Sequence, residues 1–233
     1  MNPIYEGTLI KDGQAFPYTV QLLTMDHLPE ILLVQEQVVS HLNEKNILQP
    51  LTEEEFQFIL EGNGLMIGAF VEEELIAFRA LLEPIIDSEH LGIDIGLPES
   101  ELKKVIYQEL SNVLPAYRGN QLQKILASLI MKELGQQSHS YRYVCCTVAP
   151  FNIPSLKDKF SQGMRIAALK EKYGGSMRYI FVKDLEESGE QGWGDSIFIP
   201  MKEITAQRSQ LALGWLGIQM VEREGELLVE YVK

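Results

Sequence analysis

The stretch VLPAYRGNQLQ, residues 113–123, lies between an apolar, β-branched run that begins at Val105 and an amphipathic segment that extends to Glu133. This order predicts a strand, a turn and a helix. The turn contains Arg118 and Gly119, so its backbone N–H groups can point outward, and a helix N-terminus stabilises a negative group by ~0.3–1 kcal/mol. The pattern predicts a site for a phosphate-sized anion. It is also typical of ordinary strand-turn-helix units in which Gly119 only makes the turn.

The predicted helix after this turn has one apolar face. Its apolar residues recur at the spacing i, i+3, i+4, i+7 and i+8, namely Leu122, Ile125, Leu126, Leu129 and Ile130. Gln123 and Lys124 lie off that face. The turn is therefore expected to be anchored on a helix that is itself packed.

Residues 113–123 resemble the coenzyme A pyrophosphate loop of the GNAT acyltransferases, V-x-P-x-x-R-G-x-G-x-G/A. The residues that match in register are Val113, Pro115, Arg118 and Gly119. The second and third small residues of the family pattern correspond to Gln121 and Gln123. Two positions that are bare in the family therefore carry amide side chains here, which implies weaker coenzyme binding or its loss.

The resemblance implies a set of coenzyme-binding residues in this loop. They are Val113, Leu114, Arg118, Gly119, Asn120, Gln121, Leu122, Gln123 and Lys124. A backbone N–H of Val113 or Leu114 is expected to polarise the thioester carbonyl. Because the chain carries a net charge of −13, the anionic coenzyme needs local cations, for which Arg118, Lys124 and Lys157 are candidates.

A second segment also resembles the family. After a predicted strand over residues 141–148, the spacing N-x-P-S-x7-G from Asn152 is similar to the family's N-x-x-A/S-x-x-x-Y-x-x-x-G-F. The resemblance implies that Asn152 and Ser155 lie at the coenzyme-facing start of a helix. The family tyrosine that often protonates the departing thiolate falls on Lys159. Lys159 is the candidate acid. The alternatives are that Tyr173 or another residue supplies the proton, or that no side chain does. Lys159 itself is alternatively a solvated helix lysine without a catalytic role.

The preceding part of the chain has the GNAT order of elements. One face of a first predicted helix carries Leu28, Ile31, Leu32, Val39 and Leu42. Thr52 begins a second helix with a capping box, and residues 65–82 form a predicted hairpin. The expected fold class is therefore α/β (α+β), with a GNAT-type mixed, mostly antiparallel twisted sheet flanked by helices and an added C-terminal β-hairpin.

The expected organisation is a GNAT acyltransferase domain over residues 1–186, which includes an N-terminal hairpin within residues 1–20. Residues 187–233 are expected to form a C-terminal β-extension packed on the same domain. Residues 85–100 carry several Pro and Gly residues and predict an extended connection that contributes to a substrate site.

Composition excludes several classes of protein. The 233 residues are 45% hydrophobic, with no apolar run long enough for a membrane span, and no start typical of a secretory signal. A cytoplasmic location without a membrane partner is expected, and the acidic charge argues against nucleic acid. Adjacent strand residues Cys145 and Cys146 point to opposite faces and predict packing rather than catalysis. The scattered histidines predict no metal.

The resemblance implies an N-acyltransferase that transfers an acetyl group from acetyl-CoA to a small-molecule or peptide amine by direct attack in a ternary complex. A lysine-like amine is neutral in only one molecule in ~2,500 at pH ~7, so a base is needed. Glu109 on the predicted strand is the candidate base; the alternative is an exposed strand carboxylate. A homodimer is compatible with the family. Alternatives for the whole chain are a non-catalytic acyl-CoA-binding or regulatory module of GNAT fold, and a structural protein without a cofactor.

Overall fold

The computed structural model describes residues 3–41, 49–137, 141–187 and 192–233. The elements in chain order are β1 (Tyr5–Lys11), β2 (Gln14–Leu22), α1 (Leu28–Ser40), α2 (Glu53–Leu60), β3 (Gly64–Val71), β4 (Glu74–Leu82), α3 (Leu91–Asp94), α4 (Glu99–Leu102), β5 (Val105–Val113), α5 (Leu122–Gln136), β6 (Tyr143–Val148), α6 (Ile153–Ser161), β7 (Arg165–Lys172), β8 (Ser176–Asp184), β9 (Ser196–Pro200), α7 (Ile204–Ala212), β10 (Leu216–Arg223) and β11 (Glu226–Val232). A 3₁₀ turn over Pro115–Tyr117 follows β5.

The chain divides into two compact units. The first comprises residues 1–83 and 108–139, and the second comprises residues 84–107 and 140–233. Strand β5 contributes its last residues to the first unit and its first residues to the second. The division expected from the sequence at residue 186 stays a prediction.

The first unit has the strand order β1-β2-β3-β4-β5. Its hairpins β1–β2 and β3–β4 are antiparallel, and β2 pairs antiparallel with β3. Helix α5 contacts β3 and β4, while α2 contacts β3 and α1 contacts β4. Because helices cover these central strands, nearly every residue of β3 and β4 is buried, which explains their continuous apolar runs.

The buried face of α1 differs from the predicted face in part. The residues that it buries are Leu28, Ile31, Val34, Gln35 and Val38. Val39 was expected on this face but is exposed, because it follows Val38 and so lies about 100° further round the helix. Leu42 lies outside the described residues.

The second unit has the strand order β5-β6-β8-β7-β10-β11-β9. Residues Val105 to Tyr107 pair in parallel with Tyr143 to Cys145, and the other pairings in this unit are antiparallel. The strand pairs of the whole chain are thus mostly antiparallel, as expected.

Residues 85–100 lie in the connection between β4 and β5, and part of this connection is helical. They contain α3 and the start of α4, and the His90 side chain caps α3 by accepting a hydrogen bond from Gly92 N–H. The hydroxyl of Tyr107 accepts a hydrogen bond of 2.6 Å from Leu91 N–H. Leu91 also belongs to a buried cluster with Val105 and Cys145, so this segment is packed on the sheet of its unit.

Within the second unit, Gln207 on α7, which is fully buried, connects several of the C-terminal elements to β8. Its Oε1 accepts hydrogen bonds from the hydroxyls of Tyr179 on β8, at 2.7 Å, and Tyr231 on β11, at 2.8 Å. Its Nε2 donates to Met201 O, at 2.8 Å. One amide therefore links a helix, two strands and the turn after β9. Among the described residues, no helix combines the length and the apolar character needed to cross a bilayer.

We expect Gln207→Leu to lower the free energy of unfolding by ~2–4 kcal/mol, because two buried tyrosine hydroxyls lose their acceptor. Urea unfolding measures the change. Gln210→Leu is the matched control, since it makes the same substitution at a half-buried position of the same helix. Equal stability of the Gln207→Leu variant and the wild type would refute the role assigned to this amide.

Candidate functional site

The N-terminus of α5 is open to an anion. Among the described residues, no side chain caps it at Gln121, and its first turn contains no acidic residue. The first N–H groups of a helix lack carbonyl partners within the helix, and the aligned peptide dipoles of its 15 residues place partial positive charge there. A phosphate group fits this end.

The backbone before α5 is shaped by two left-handed residues. Gly119 has φ +85°, and a Cβ added there would meet no described atom within 4 Å. Glycine is therefore favoured here by the left-handed backbone conformation and not by a lack of room for a side chain. Gln121 has φ +57°, which costs a residue with a side chain ~1–2 kcal/mol. The family pattern has a small residue at this position. The side chains of Gln121 and Gln123 are exposed, so they are not buried beneath the turn.

Asn120 fixes the turn to β1. Its Oδ1 accepts a hydrogen bond from Ile10 N–H at 2.8 Å, and its Nδ2 donates to Ile10 O at 2.9 Å and to Tyr117 O at 3.1 Å. Asn120 was expected among the coenzyme contacts, but its side chain is already hydrogen-bonded to Ile10 and Tyr117. Only its backbone therefore remains a candidate contact for the coenzyme.

Tyr117 provides a second attachment for the turn. Lys11 Nζ donates to the Tyr117 hydroxyl at 3.2 Å, and that hydroxyl donates to Glu74 Oε2 at 3.2 Å. The bond to Tyr117, with the charge of Glu74, raises the pKa of Lys11. A half-buried cation therefore stands beside the turn, in addition to Arg118 and Lys124, which are exposed. Sequence reasoning missed Lys11, since its contact with residue 117 depends on the fold.

The structure distinguishes the two backbone donors expected at the end of β5. Leu114 N–H donates to Ile76 O of β4 at 3.0 Å, so this group is engaged. Successive N–H groups of a strand point in opposite directions, so we expect the N–H of Val113 on the side of β5 away from β4. Leu122 is buried, so only its backbone can face a ligand.

Glu109 lies on the face of β5 that also carries Ser111 and Val113. It is half-buried, and is therefore not the exposed strand carboxylate that the sequence also allowed. Desolvation raises the pKa of its carboxyl to about 7, and the negative charge of Glu55 on α2 acts in the same direction. A carboxylate with a pKa near the working pH suits proton abstraction.

Arg79 is a buried cation that sequence analysis did not single out. It interrupts the apolar run of β4 and is 1% exposed. Its Nη2 donates to Gln108 Oε1 on β5 at 2.8 Å, and its Nη1 donates to Gln123 O in the first turn of α5 at 3.3 Å. A charged residue within the otherwise apolar run of β4 was the feature of the sequence that could have identified it.

In the second unit, α6 carries the other predicted residues. Asn152 Oδ1 caps α6 by accepting a hydrogen bond from Ser155 N–H at 3.2 Å. Lys157 is exposed. The side chain of Lys159 is only 11% exposed, with Nζ 3.4 Å from Asp158 Oδ2, so it is not a solvated helix lysine.

The remaining candidates have simple surroundings. Tyr173 is exposed, and its hydroxyl lies 3.1 Å from Thr147 Oγ1. Cys145 and Cys146 are buried, and desolvation raises the pKa of the Cys145 thiol, which disfavours the thiolate that a nucleophile requires. Within the described ranges, no group of three or more His, Cys, Asp or Glu residues is arranged to hold a metal ion.

No protein-family model matches the sequence, and no curated protein sequence matches it. The similarity is to solved structures. The ribosomal-protein-S18-alanine N-acetyltransferase of Escherichia coli is 15% identical with a TM-score of 0.54, over 76% of this chain and 99% of that chain. The GNAT domain of S. lividans PAT is 17% identical with a TM-score of 0.52, over 77% and 97% of the two chains.

A third solved structure contains a ligand. Arabidopsis thaliana NAA60 in complex with acetyl-CoA is 16% identical with a TM-score of 0.54, and the match covers 73% of this chain and 99% of that chain. At this level of identity the likeness concerns the fold. It covers about three quarters of the present chain, and nearly all of each of the three structures.

We expect Glu109→Gln to stabilise the protein above pH ~7 by up to ~3 kcal/mol, and to change stability little near pH ~4.5. The pKa of the carboxyl is near 4.5 in the unfolded state and about 7 in the folded state. Between these pH values the folded protein keeps a proton that the unfolded chain releases. Stability conferred by the protonated form is lost as the pH rises from about 4.5 to about 7. Urea unfolding at several pH values measures the difference, and a benefit that is independent of pH would contradict the assigned pKa.

Proposed function

Because the chain has the GNAT acetyltransferase fold, we propose that it is an N-acetyltransferase that transfers an acetyl group from acetyl-CoA to an amine, by direct attack in a ternary complex. The observation that carries this proposal is the N-terminus of α5, which follows β5, carries no described side-chain cap and stands beside the exposed Arg118.

In this proposal the pyrophosphate of the coenzyme binds the first turn of α5. The N–H groups of Leu122, Gln123 and Lys124 and the backbone of the turn from Gly119 to Gln121 donate hydrogen bonds, and Arg118 and Lys124 supply exposed positive charge. Asn152 and Ser155 stay proposed contacts at the start of α6, through the backbone and the Ser155 hydroxyl.

The thioester is proposed to lie along the last residues of β5. Leu114 N–H is bonded to Ile76 O, and strand alternation places the N–H of the preceding residue, Val113, on the opposite side of β5. Val113 is therefore the donor that we assign to the thioester carbonyl. A donor aimed at this oxygen stabilises the negative charge that develops on it as the amine attacks.

Glu109 is the proposed general base. The ammonium form of the acceptor must lose a proton before it attacks, and a carboxylate whose pKa is about 7 accepts that proton more readily than an ordinary glutamate. Its position on the same strand face as Val113 supports this role. Lys159 is the proposed acid for the departing thiolate, since its ammonium group is largely withdrawn from water.

The acceptor is proposed to be a small-molecule or peptide amine, and a homodimer is one compatible assembly. One of the similar structures is, by its name, an enzyme that acetylates an alanine of a ribosomal protein. The acidic body of this chain, with its net charge of −13, would attract a cationic amine.

A second candidate is a non-catalytic acyl-CoA-binding or regulatory module of the same fold. It is favoured by Gln121, which occupies a left-handed position where the family has a small residue, and by Lys159, which stands in place of a tyrosine. This module would bind the coenzyme without turning it over.

Incubation of the protein with acetyl-CoA and a panel of amines is expected to release free coenzyme A thiol, which a thiol reagent detects. We expect Arg118→Ala to weaken coenzyme binding by ~10-fold in calorimetry, because it removes a charge-assisted contact with a phosphate. Lys132→Gln is the control, since it removes one exposed charge from the other end of α5.

Binding without turnover of any amine would favour the non-catalytic module. Absence of heat with coenzyme A would favour a structural protein, and unchanged affinity of the Arg118→Ala variant would contradict the phosphate site.

We expect kcat/KM to rise with pH through about 7, as the carboxyl of Glu109 loses its proton, and to level off above that value until the acceptor itself titrates. Glu109→Gln is expected to reduce the rate by ~10²–10⁴-fold and to remove this step from the pH profile. A profile that keeps the same step in the variant would assign it to another group.

A further inference from the structure

Arg79 contacts the first turn of α5 from the interior of the protein. It is almost fully buried on β4, and its guanidinium bonds to the carbonyl oxygen of Gln123, the second residue of α5. The second terminal nitrogen of Arg79, Nη2, donates to Gln108 Oε1 at 2.8 Å. Gln108 Nε2 in turn lies 3.9 Å from Met131 Sδ on α5. The cation is thus fixed between β4, β5 and the first turn of α5.

The position of this charge relative to a bound anion follows from helix geometry. The first-turn N–H groups lie within about one helical turn of Gln123 O, ~5 Å, and an anion that they bind lies ~3 Å further. A positive charge at such a distance, separated from the anion by protein rather than by water, is only weakly screened by salt.

We infer that Arg79 is a positioning residue for the pyrophosphate of the coenzyme, which fixes the first turn of α5 and adds positive charge beneath it without touching the ligand. This inference rests on the proposed coenzyme site. It also gives a physical role to a buried cation inside an apolar strand, a placement that is costly because it removes the charge from water. Arg118 acts from the solvent side and Arg79 from the interior, so their contributions respond differently to salt.

Three substitutions test the inference. Arg79→Met removes the charge and keeps an unbranched apolar side chain that suits a buried position, Arg79→Gln removes the charge but keeps a hydrogen-bond donor, and Arg79→Lys keeps the charge but loses the fork. Lys132→Gln is the matched control, because Lys132 is an exposed cation nine residues along the same helix. Thermal unfolding identifies the variants that fold.

The measurement is the calorimetric affinity for coenzyme A at pH ~6.5, a value chosen so that a buried lysine keeps its proton. We expect Arg79→Met and Arg79→Gln to bind ~10–30-fold more weakly than the wild type, and Arg79→Lys and Lys132→Gln to bind within ~3-fold of it. Between ~50 and ~500 mM salt the loss in Arg79→Met should persist, while the loss in Arg118→Ala should shrink.

Each other outcome overturns the inference. Wild-type affinity in Arg79→Met or Arg79→Gln would show that the charge does not act on the ligand, and a loss in Arg79→Lys as large as in the neutral variants would show a role in geometry alone. In both cases the wild type still binds coenzyme A and the proposed function stands. A wild type that binds no coenzyme A overturns both proposals.

Discussion

Every α-helix begins with N–H groups that find no carbonyl within the helix, and the candidate site depends on how this protein treats those of α5. Most helices satisfy one of them with a Ser, Thr, Asp or Asn side chain. Here Gln121 occupies the cap position without a described capping bond, and the neighbouring Asn120 turns its amide to β1 instead. Buried Arg79 contacts the same turn from the interior. These residues leave the positive end of the helix directed towards solvent.

The sequence predicted the features that depend on neighbouring residues. The capping box of Thr52 and Glu55 and the turn glycine Gly119 follow from local spacing and are present in the structure. Of the apolar face predicted for α5, the structure buries Leu122, Leu126 and Ile130, while Ile125 and Leu129 are half-buried. Contacts between distant residues could not be read in this way. Asn120 binds Ile10, which is 110 residues away, and Arg79 bonds across two elements that only the fold brings together. The helical turns within residues 85–100 were missed because segments of four residues carry little periodicity.

Glu55 serves two purposes that are physically linked. Its Oε2 accepts a hydrogen bond from Thr52 N–H at 2.7 Å, which completes the capping box at the start of α2. The same negative charge raises the pKa of Glu109. A residue that stabilises a helix start therefore also tunes the proposed base, and the stability of α2 and the protonation of β5 are coupled.

The bond between Asn120 and Ile10 has a further consequence for solubility. Strand β1 ends the strand order of its unit, and a terminal strand with unpaired main-chain groups is a template for pairing with another molecule. The amide of Asn120 occupies both the N–H and the carbonyl of Ile10, whose apolar side chain is exposed. A single side chain from the turn thus imitates one residue of an additional strand. At Ile10 the edge therefore has no free main-chain groups with which another strand could pair.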